Sequence, residues 1–230
     1  MEKKVAVITG ASKGIGRSCA ELFLKEGYVT VDASRSNPDP IKNDNWQHIK
    51  TDVSKEVDIE NLFNEVKDKY GRIDVLINNA GYGKFKKLAE TTTKDYDDMF
   101  AVNVRGLYLC TRYFLQMMLE QKSGTIINIA SLAGKNGFAT GTLYCATKHA
   151  VMGLSRALML EVRSSNIRVI AVCPGSVDTE FFIGSGTTPN NDPKTFLTSE
   201  DVAKACLLAA ELPLSAAMNE IELRPTNPHS

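Results

Sequence analysis

Apolar residues along this chain follow two rhythms that alternate from one end to the other. Short runs without inside–outside alternation occur at 4–9, 28–33, 47–51, 73–77, 125–130, 167–173 and 221–224. Each reads as a strand covered on both faces. Stretches with helical spacing lie between them. Residues 15–26 predict a helix stopped by Gly27 as its C-cap. The Asn, Pro and Asp residues of 36–45 mark a loop. After the third strand, Ser54 stands where it would cap a helix whose Ile59, Leu62, Phe63 and Val66 recur at i, i+3, i+4 and i+7. Residues 95–121 predict one long helix, and 142–164 another with Val151, Leu154 and Leu158 on one stripe. Residues 199–212 predict a last helix with Val202, Ala203, Cys206, Leu207 and Ala210 inward, ended by Pro213.

Parallel strands joined by helices require right-handed crossovers, so the sum is an α/β fold, a doubly wound parallel β-sheet of Rossmann type. No repeat and no linker interrupts it, and residues 1–230 read as a single domain. Ligands of such sheets sit at the carboxyl ends of the strands, near the point where strand order reverses. Composition narrows the function classes. The 27 Lys and Arg balance 27 Asp and Glu, and zero net charge argues against a nucleic-acid partner. At 43% hydrophobic the chain has enough for a core, which excludes a disordered protein. No apolar run approaches the roughly 20 residues of a bilayer span, so no membrane partner is expected. The first residues offer two lysines and a four-residue apolar run, Val5 to Ile8, short of the about 7–15 of a signal peptide, so a cytoplasmic protein is expected. Cys19, Cys110, Cys145, Cys173 and Cys206 are far apart with no CxxC spacing, and neither a disulfide framework nor a metal site is expected.

The first strand runs directly into Gly10-Ala11-Ser12-Lys13-Gly14-Ile15-Gly16 and then into a helix. Glycines allow a backbone to approach a diphosphate closely, and the helix N-terminus supplies unpaired N–H groups and partial positive charge. Any turn can use glycines. Their place at the front of a strand–helix unit is what points to a dinucleotide. From here Thr9-Gly10, Gly14-Ile15-Gly16, Asp52-Val53, Asn78-Asn79-Ala80-Gly81, Asn103, Ser131, Tyr144 with Lys148, and Pro174-Gly175 follow in order across essentially the whole chain. In this the sequence resembles the short-chain dehydrogenase/reductase family, and within it the NADPH-dependent 3-oxoacyl-carrier-protein reductases and neighbouring carbonyl reductases. The resemblance implies a nicotinamide dinucleotide with Gly10, Ser12, Lys13, Gly14, Ile15 and Gly16 at its diphosphate. It implies Asp52 accepting from the adenine amino group beside the Val53 backbone, and Asn79, Ala80 and Gly81 along the adenine ribose. Thr179, helped by Val177 after Pro174-Gly175, would bond the carboxamide.

The choice of dinucleotide turns on residues 32–36, Asp-Ala-Ser-Arg-Ser. Counted from Gly10, Ser34 falls where NAD-preferring members of the family carry an acid. Arg35 follows it, as in NADP-preferring members, and Lys13 is a second cation of that subgroup. The two would bracket a 2′-phosphate and favour NADP(H) by roughly ten- to several-hundred-fold, at about 1.5–3 kcal/mol per charged hydrogen bond. Two alternatives stay open. Arg35 and Lys13 as ordinary surface charges, and Asp32 as a ribose ligand giving NAD(H), are both weaker readings than the phosphate clamp.

Tyr144 and Lys148, about 400° apart along a helix, project within about 40° of one another. Ser131 ends a strand, where a site should be. Hydride arriving at a carbonyl carbon leaves an alkoxide that must take a proton, and a tyrosine hydroxyl can give it. Its ordinary pKa of about 10 is too high for a base near neutrality, and a nearby ammonium lowers it. With the family resemblance, Tyr144 is general acid in reduction and base in oxidation. Lys148 lowers its pKa and binds the nicotinamide ribose. Ser131 bonds the substrate oxygen. Asn103 holds a water in a proton relay to Lys148. No metal is required. Taken singly, Tyr144 is a core aromatic, Lys148 a solvated charge and Ser131 a helix cap; the four together in family register favour the catalytic reading.

Residues 180–197, with Phe181, Phe182, Gly184, Gly186, Pro189 and Pro193, read as a loop that closes over substrate. Phe138, Phe181 and Phe182 would give the pocket an apolar wall, and no charged residue can be set against the substrate. A small or medium carbonyl or alcohol compound fits. The leading function is an NADP(H)-dependent carbonyl reductase. The alternatives are an NAD-linked alcohol or polyol dehydrogenase and a non-catalytic redox sensor, which the intact Ser–Tyr–Lys–Asn set disfavours. Lys84, Lys86 and Lys87 read as a solvated run sooner than as an anion-attracting patch. His149, about 100° round the helix from Lys148, reads as structural, and His48 and His229 have no partner cluster. The resemblance also implies a homo-oligomer, a dimer or tetramer built on 95–121 and 142–164, with 220–225 available to a tetramer.

Overall fold

The computed structural model describes residues 2–36, 39–182, 185–186, 195–213 and 215–227. In chain order the elements are β1 (Val5–Thr9), α1 (Gly14–Lys25), β2 (Val29–Ser34), β3 (Trp46–Lys50), α2 (Glu56–Tyr70), β4 (Val75–Asn78), α3 (Thr93–Phe100), α4 (Leu107–Gln121), β5 (Gly124–Ile129), α5 (Thr142–Val162), β6 (Ile167–Pro174), α6 (Ser199–Glu211) and β7 (Glu220–Leu223). The strands form one parallel sheet in the order β3–β2–β1–β4–β5–β6–β7. Strand order reverses between β1 and β4, which opens a crevice at their carboxyl ends. Every residue of β1, β4 and β5 is buried, as the unbroken apolar runs require. The edge strands β3 and β7 are only partly covered.

Two apolar layers flank the sheet. Cys19, Ala20 and Phe23 of α1 pack with Val202, Ala203, Cys206 and Ala210 of α6 on one face. Ile59, Leu62 and Val66 of α2 pack with Leu109 and Phe114 of α4 and Val162 of α5 on the other. The chain is thus a doubly wound α/β domain. Among the described residues no helix is long and apolar enough to cross a membrane. The five cysteines are buried free thiols.

Helix α1 ends at Lys25 and is stopped as expected by Gly27, whose left-handed backbone (φ 86°) lets Gly27 N–H reach Leu24 O and Tyr28 N–H reach Phe23 O. Two local expectations are corrected. Ser54 does not cap α2. Its hydroxyl donates to Asp52 Oδ1 at 2.7 Å, and Lys55 occupies the cap position without a side-chain bond. The helix expected over 95–121 begins instead at Thr93, where Thr92 and Asp95 form a reciprocal capping box. It is then interrupted by a π-helical turn at Ala101–Gly106, before α4. At Gly106 a side chain would lie 2.9 Å from Val53, so this turn packs against the loop after β3 only with glycine there.

Between the sheet and its helices runs a buried polar ladder. Asn78 Nδ2 donates to Asn128 Oδ1 at 2.8 Å and to Thr111 Oγ1 at 2.9 Å; Asn128 Nδ2 donates to Ser155 Oγ at 2.8 Å. Asn78 and Asn128 are register partners on β4 and β5. Replacing Asn128→Ala strands buried donors and acceptors on both neighbours. The expected loss is about 2–3 kcal/mol, read from the urea midpoint of unfolding; a loss below about 0.5 kcal/mol would mean the ladder adds nothing net.

Candidate active site

A cleft of about 930 Å3 opens along the carboxyl ends of the strands. Its first wall is the turn between β1 and α1. Gly10 (φ 67°) and Gly14 (φ 56°) take left-handed backbone conformations. A Cβ on Gly16 would lie 2.4 Å from Gly10 O. Asn79 Nδ2 donates to Thr9 O at 2.9 Å and Gly10 O at 3.0 Å, and Thr9 Oγ1 accepts from the N–H groups of Asn79 and Ala80. The end of β4 therefore holds the glycine turn in shape. No side chain caps α1 and no acid lies in its first turn, so its N-terminal N–H groups remain for an anion. An extended dinucleotide fits this cradle.

Of the expected binding residues, Gly10, Ser12, Lys13, Gly14, Ile15, Ser34, Arg35, Asp52, Val53, Asn79, Ala80, Gly81, Pro174, Gly175, Val177 and Thr179 all line the cleft. Gly16 does not, lying behind the turn. The two expected phosphate cations are in different situations. Lys13 Nζ is paired with Glu180 Oε2 at 2.6 Å. Arg35 is exposed on the cleft, and no hydrogen bond or ion pair holds it among the described residues. Asp32 is 0% exposed and does not line the cleft. Burial raises its carboxyl pKa. Asp32 as a ribose ligand thus loses its geometry. Burial alone would also raise Asp52, but the Ser54 hydroxyl and N–H, with the Arg35 charge, outweigh it and hold Asp52 below the usual carboxylate range.

At the other end, Ser131, Tyr144 and Lys148 come together on the cleft. Ser131 follows β5, and its Oγ accepts from Ala133 N–H at 3.1 Å. Lys148 is 6% exposed, and its Nζ donates to Ile129 O at 2.8 Å, lying 5.7 Å from the Tyr144 ring centroid. Burial pushes the Tyr144 phenol up to about 12, opposed by the Ser131 hydroxyl, and pushes Lys148 down to about 8. In the protein alone, desolvation of the phenolate outweighs the Ser131 hydrogen bond.

Asn103 sits in the π-helical turn, buried and outside the cleft lining. Its Nδ2 donates to Tyr82 O at 2.9 Å and Thr147 Oγ1 at 3.1 Å, and its Oδ1 accepts from Tyr82 N–H at 3.0 Å. Both amide hydrogens are engaged by protein, so here Asn103 fixes the 81–82 turn against α5 and is not presented to the cleft.

Phe138 and Phe181 line the cleft as expected, while Gly184, Pro189, Pro193, His229 and the Phe182 side chain lie outside the described residues. Two of the lining residues that escaped sequence reasoning stand out. Phe85 packs edge-on against Tyr144, ring centroids 5.4 Å apart, and touches Phe138 and Phe181. Arg224, just past β7, also faces the cleft. Of the neighbouring lysines, Lys87 is exposed as expected, but Lys84 and Lys86 both pair with the buried Asp95, which anchors the Phe85 loop to α3. Lys84 holds the Asp95 carboxyl well below its ordinary range.

A family model for short chain dehydrogenases matches residues 4–189. An uncharacterized oxidoreductase of Staphylococcus aureus (strain MRSA252) is 34% identical over 229 residues, covering 96% of this chain and 97% of the relative. The closed form of a serine dehydrogenase complexed with NADP+ superposes with a TM-score of 0.89 at 29% identity, covering 98% of this chain and 97% of that one. A 3-ketoacyl-(acyl-carrier-protein) reductase from Brucella melitensis complexed with NADH gives 0.86 at 27% identity, covering 98% of each chain.

The Lys148 shift has a checkable sign. A lysine that titrates near 8 when folded, against 10.5 ordinarily, binds fewer protons native than unfolded between those values. Its burial cost is full below about pH 8 and fades as pH rises towards 10.5, so stability gains with pH across that window. Lys148→Met should flatten this part of the urea-midpoint profile; an unchanged slope would contradict the shift.

Proposed function

The chain belongs to the short chain dehydrogenase family and is an oxidoreductase, and from that premise we propose that it is an NADP(H)-dependent carbonyl reductase acting in the cytoplasm on a small or medium compound. The observation that carries this reading is the Tyr144 phenol beside Ser131 and the buried Lys148 ammonium, all on one cleft with the glycine turn. When bound, the nicotinamide supplies or accepts the hydride. The free N–H groups at the start of α1 hold the diphosphate, and Arg35 receives the 2′-phosphate. Lys13 contributes less than Arg35, because Glu180 already neutralises it.

Tyr144 gives its proton to the oxygen of the substrate carbonyl. Its raised pKa keeps it in the donor form across the physiological range, which suits reduction. The Ser131 hydroxyl bonds the same oxygen and stabilises negative charge developing there. Lys148, fixed by Ile129 O, places a cation beneath the phenol and favours the phenolate left behind. Asn103 acts as a positioning residue, through Tyr82 and Thr147. Tyr108, Leu160 and Tyr96 are exposed apolar side chains on α4, α5 and α3, and we assign that face to self-association as a dimer or tetramer.

Tyr144→Phe should lower kcat at least about 10²-fold with cofactor affinity retained. Retained turnover would remove Tyr144 from the chemistry. Wild type should favour NADPH over NADH in kcat/KM, and Arg35→Ala should narrow that ratio by roughly ten- to a hundredfold. Equal wild-type values would refute the phosphate role. Light scattering reads the assembly; a monomer at micromolar concentration would count against the oligomer.

A further inference from the structure

We propose that the substrate carries a carboxylate and that Arg224 receives it; this deepens the reductase reading and rests on it. Arg224 follows β7 directly and lines the cleft. Its position there is fixed by its neighbours. Leu223 O accepts from Gly175 N–H at 2.8 Å. A Cβ on Gly175 would lie 3.3 Å from Leu132 Cδ1 and 3.5 Å from both Leu223 O and Pro225 Cδ. The 223–225 segment therefore lies against the residue after Ser131, at the proton-transfer end.

Arg224 does not serve the nucleotide end. β7 is five strand positions from β2, roughly 24 Å at the ordinary strand spacing, and four from β1, roughly 19 Å. Arg35 stands just past β2, and the diphosphate turn just past β1.

The guanidinium also has capacity to bind. Its side chain is 56% exposed, and among the described residues its one ion pair is with Glu222 Oε2 at 3.3 Å. Glu222 is held more closely by Lys135, at 2.7 Å. Arg224 thus keeps most of its five N–H donors for another acceptor. In the same cleft, Leu132, Phe85, Phe138 and Phe181 offer uncharged wall suited to a carbon chain.

A single guanidinium beside an acid matches a monoanion. A phosphate ester, carrying nearly two charges at neutral pH, calls for a second cation. Among the described residues the other cations lining the cleft are Lys13, paired with Glu180; Arg35, at the opposite end; and Lys148, bound to Ile129 O. The substrate class is therefore an oxo acid, or the corresponding hydroxy acid in the oxidative direction.

The test uses the full chain with NADPH and a series of 2-, 3-, 4- and 5-oxo acids, each beside its methyl ester. At the best-fitting length the acid should exceed its ester by about ten- to a hundredfold in kcat/KM. Arg224→Met should bring that ratio near one. Arg224→Lys should retain part of it, since charge survives and the planar fork does not. Esters turned over as fast as acids by wild type would overturn the carboxylate site and leave the reductase reading standing. A phosphate-bearing ketone that outperforms every acid would overturn the choice of carboxylate. Turnover of none of these would remove the reductase reading, and binding then decides the site. Calorimetric titration of Tyr144→Phe protein with NADPH present should show the acid binding more tightly than the ester, with the difference lost in the Tyr144→Phe, Arg224→Met double variant; equal affinities would overturn the proposal.

Discussion

The bond from the Lys148 ammonium to Ile129 O is the constraint around which the rest is arranged. A nearly dry cation must have partners, and the carbonyl of the last residue of β5 is the one this fold supplies. That bond pins α5 to the end of β5. Tyr144 is thereby placed one helical turn earlier on the same face, and Ser131 two residues beyond the carbonyl. The short turn after Ser131 fits beneath α5 because residue 134 is glycine; a Cβ there would lie 2.8 Å from Lys148 O. One strand end, one helix and one close approach thus locate all three proposed chemical groups.

The same burial sets their protonation. Removing water costs the charged form of each group, so the phenol is driven towards holding its proton and the ammonium towards losing one. Both shifts follow from burial: Phe85 and Phe181 pack against the Tyr144 ring, and Lys148 lies nearly out of solvent. The aromatic wall thus shapes the cleft and sets proton affinity at once.

The parts of this architecture written in the sequence are those decided by neighbours close in the chain. Continuous apolar runs announce strands buried on both faces, and the glycine turn announces itself by lying between a strand and a helix. Tyr144 and Lys148 are legible because one helical turn joins them. What was not legible depends on distant partners. The π-helical turn lies within an unbroken amphipathic pattern and coincides with the bonds of Asn103 to Tyr82, 21 residues earlier. Ser54 looks like a cap until Asp52 claims its hydroxyl. Lys13 looks like a phosphate ligand until Glu180, 167 residues away, is brought to it. Lys84 and Lys86 look solvated because nothing local shows that Asp95 is buried. Arg224 reaches the cleft only because β7 takes the sheet edge beside β6.

The strand order also separates two kinds of selectivity. The nucleotide half of the cleft is built on β1, β2 and β3, and the far half on β5, β6 and β7. Lys13 and Glu180 bridge the two halves, but Arg35, past β2, and Arg224, past β7, stand roughly 24 Å apart by strand spacing, and perturbations that far apart combine almost additively. Descendants of this scaffold can therefore change one end of the cleft without disturbing the other, since each is inherited through its own strands.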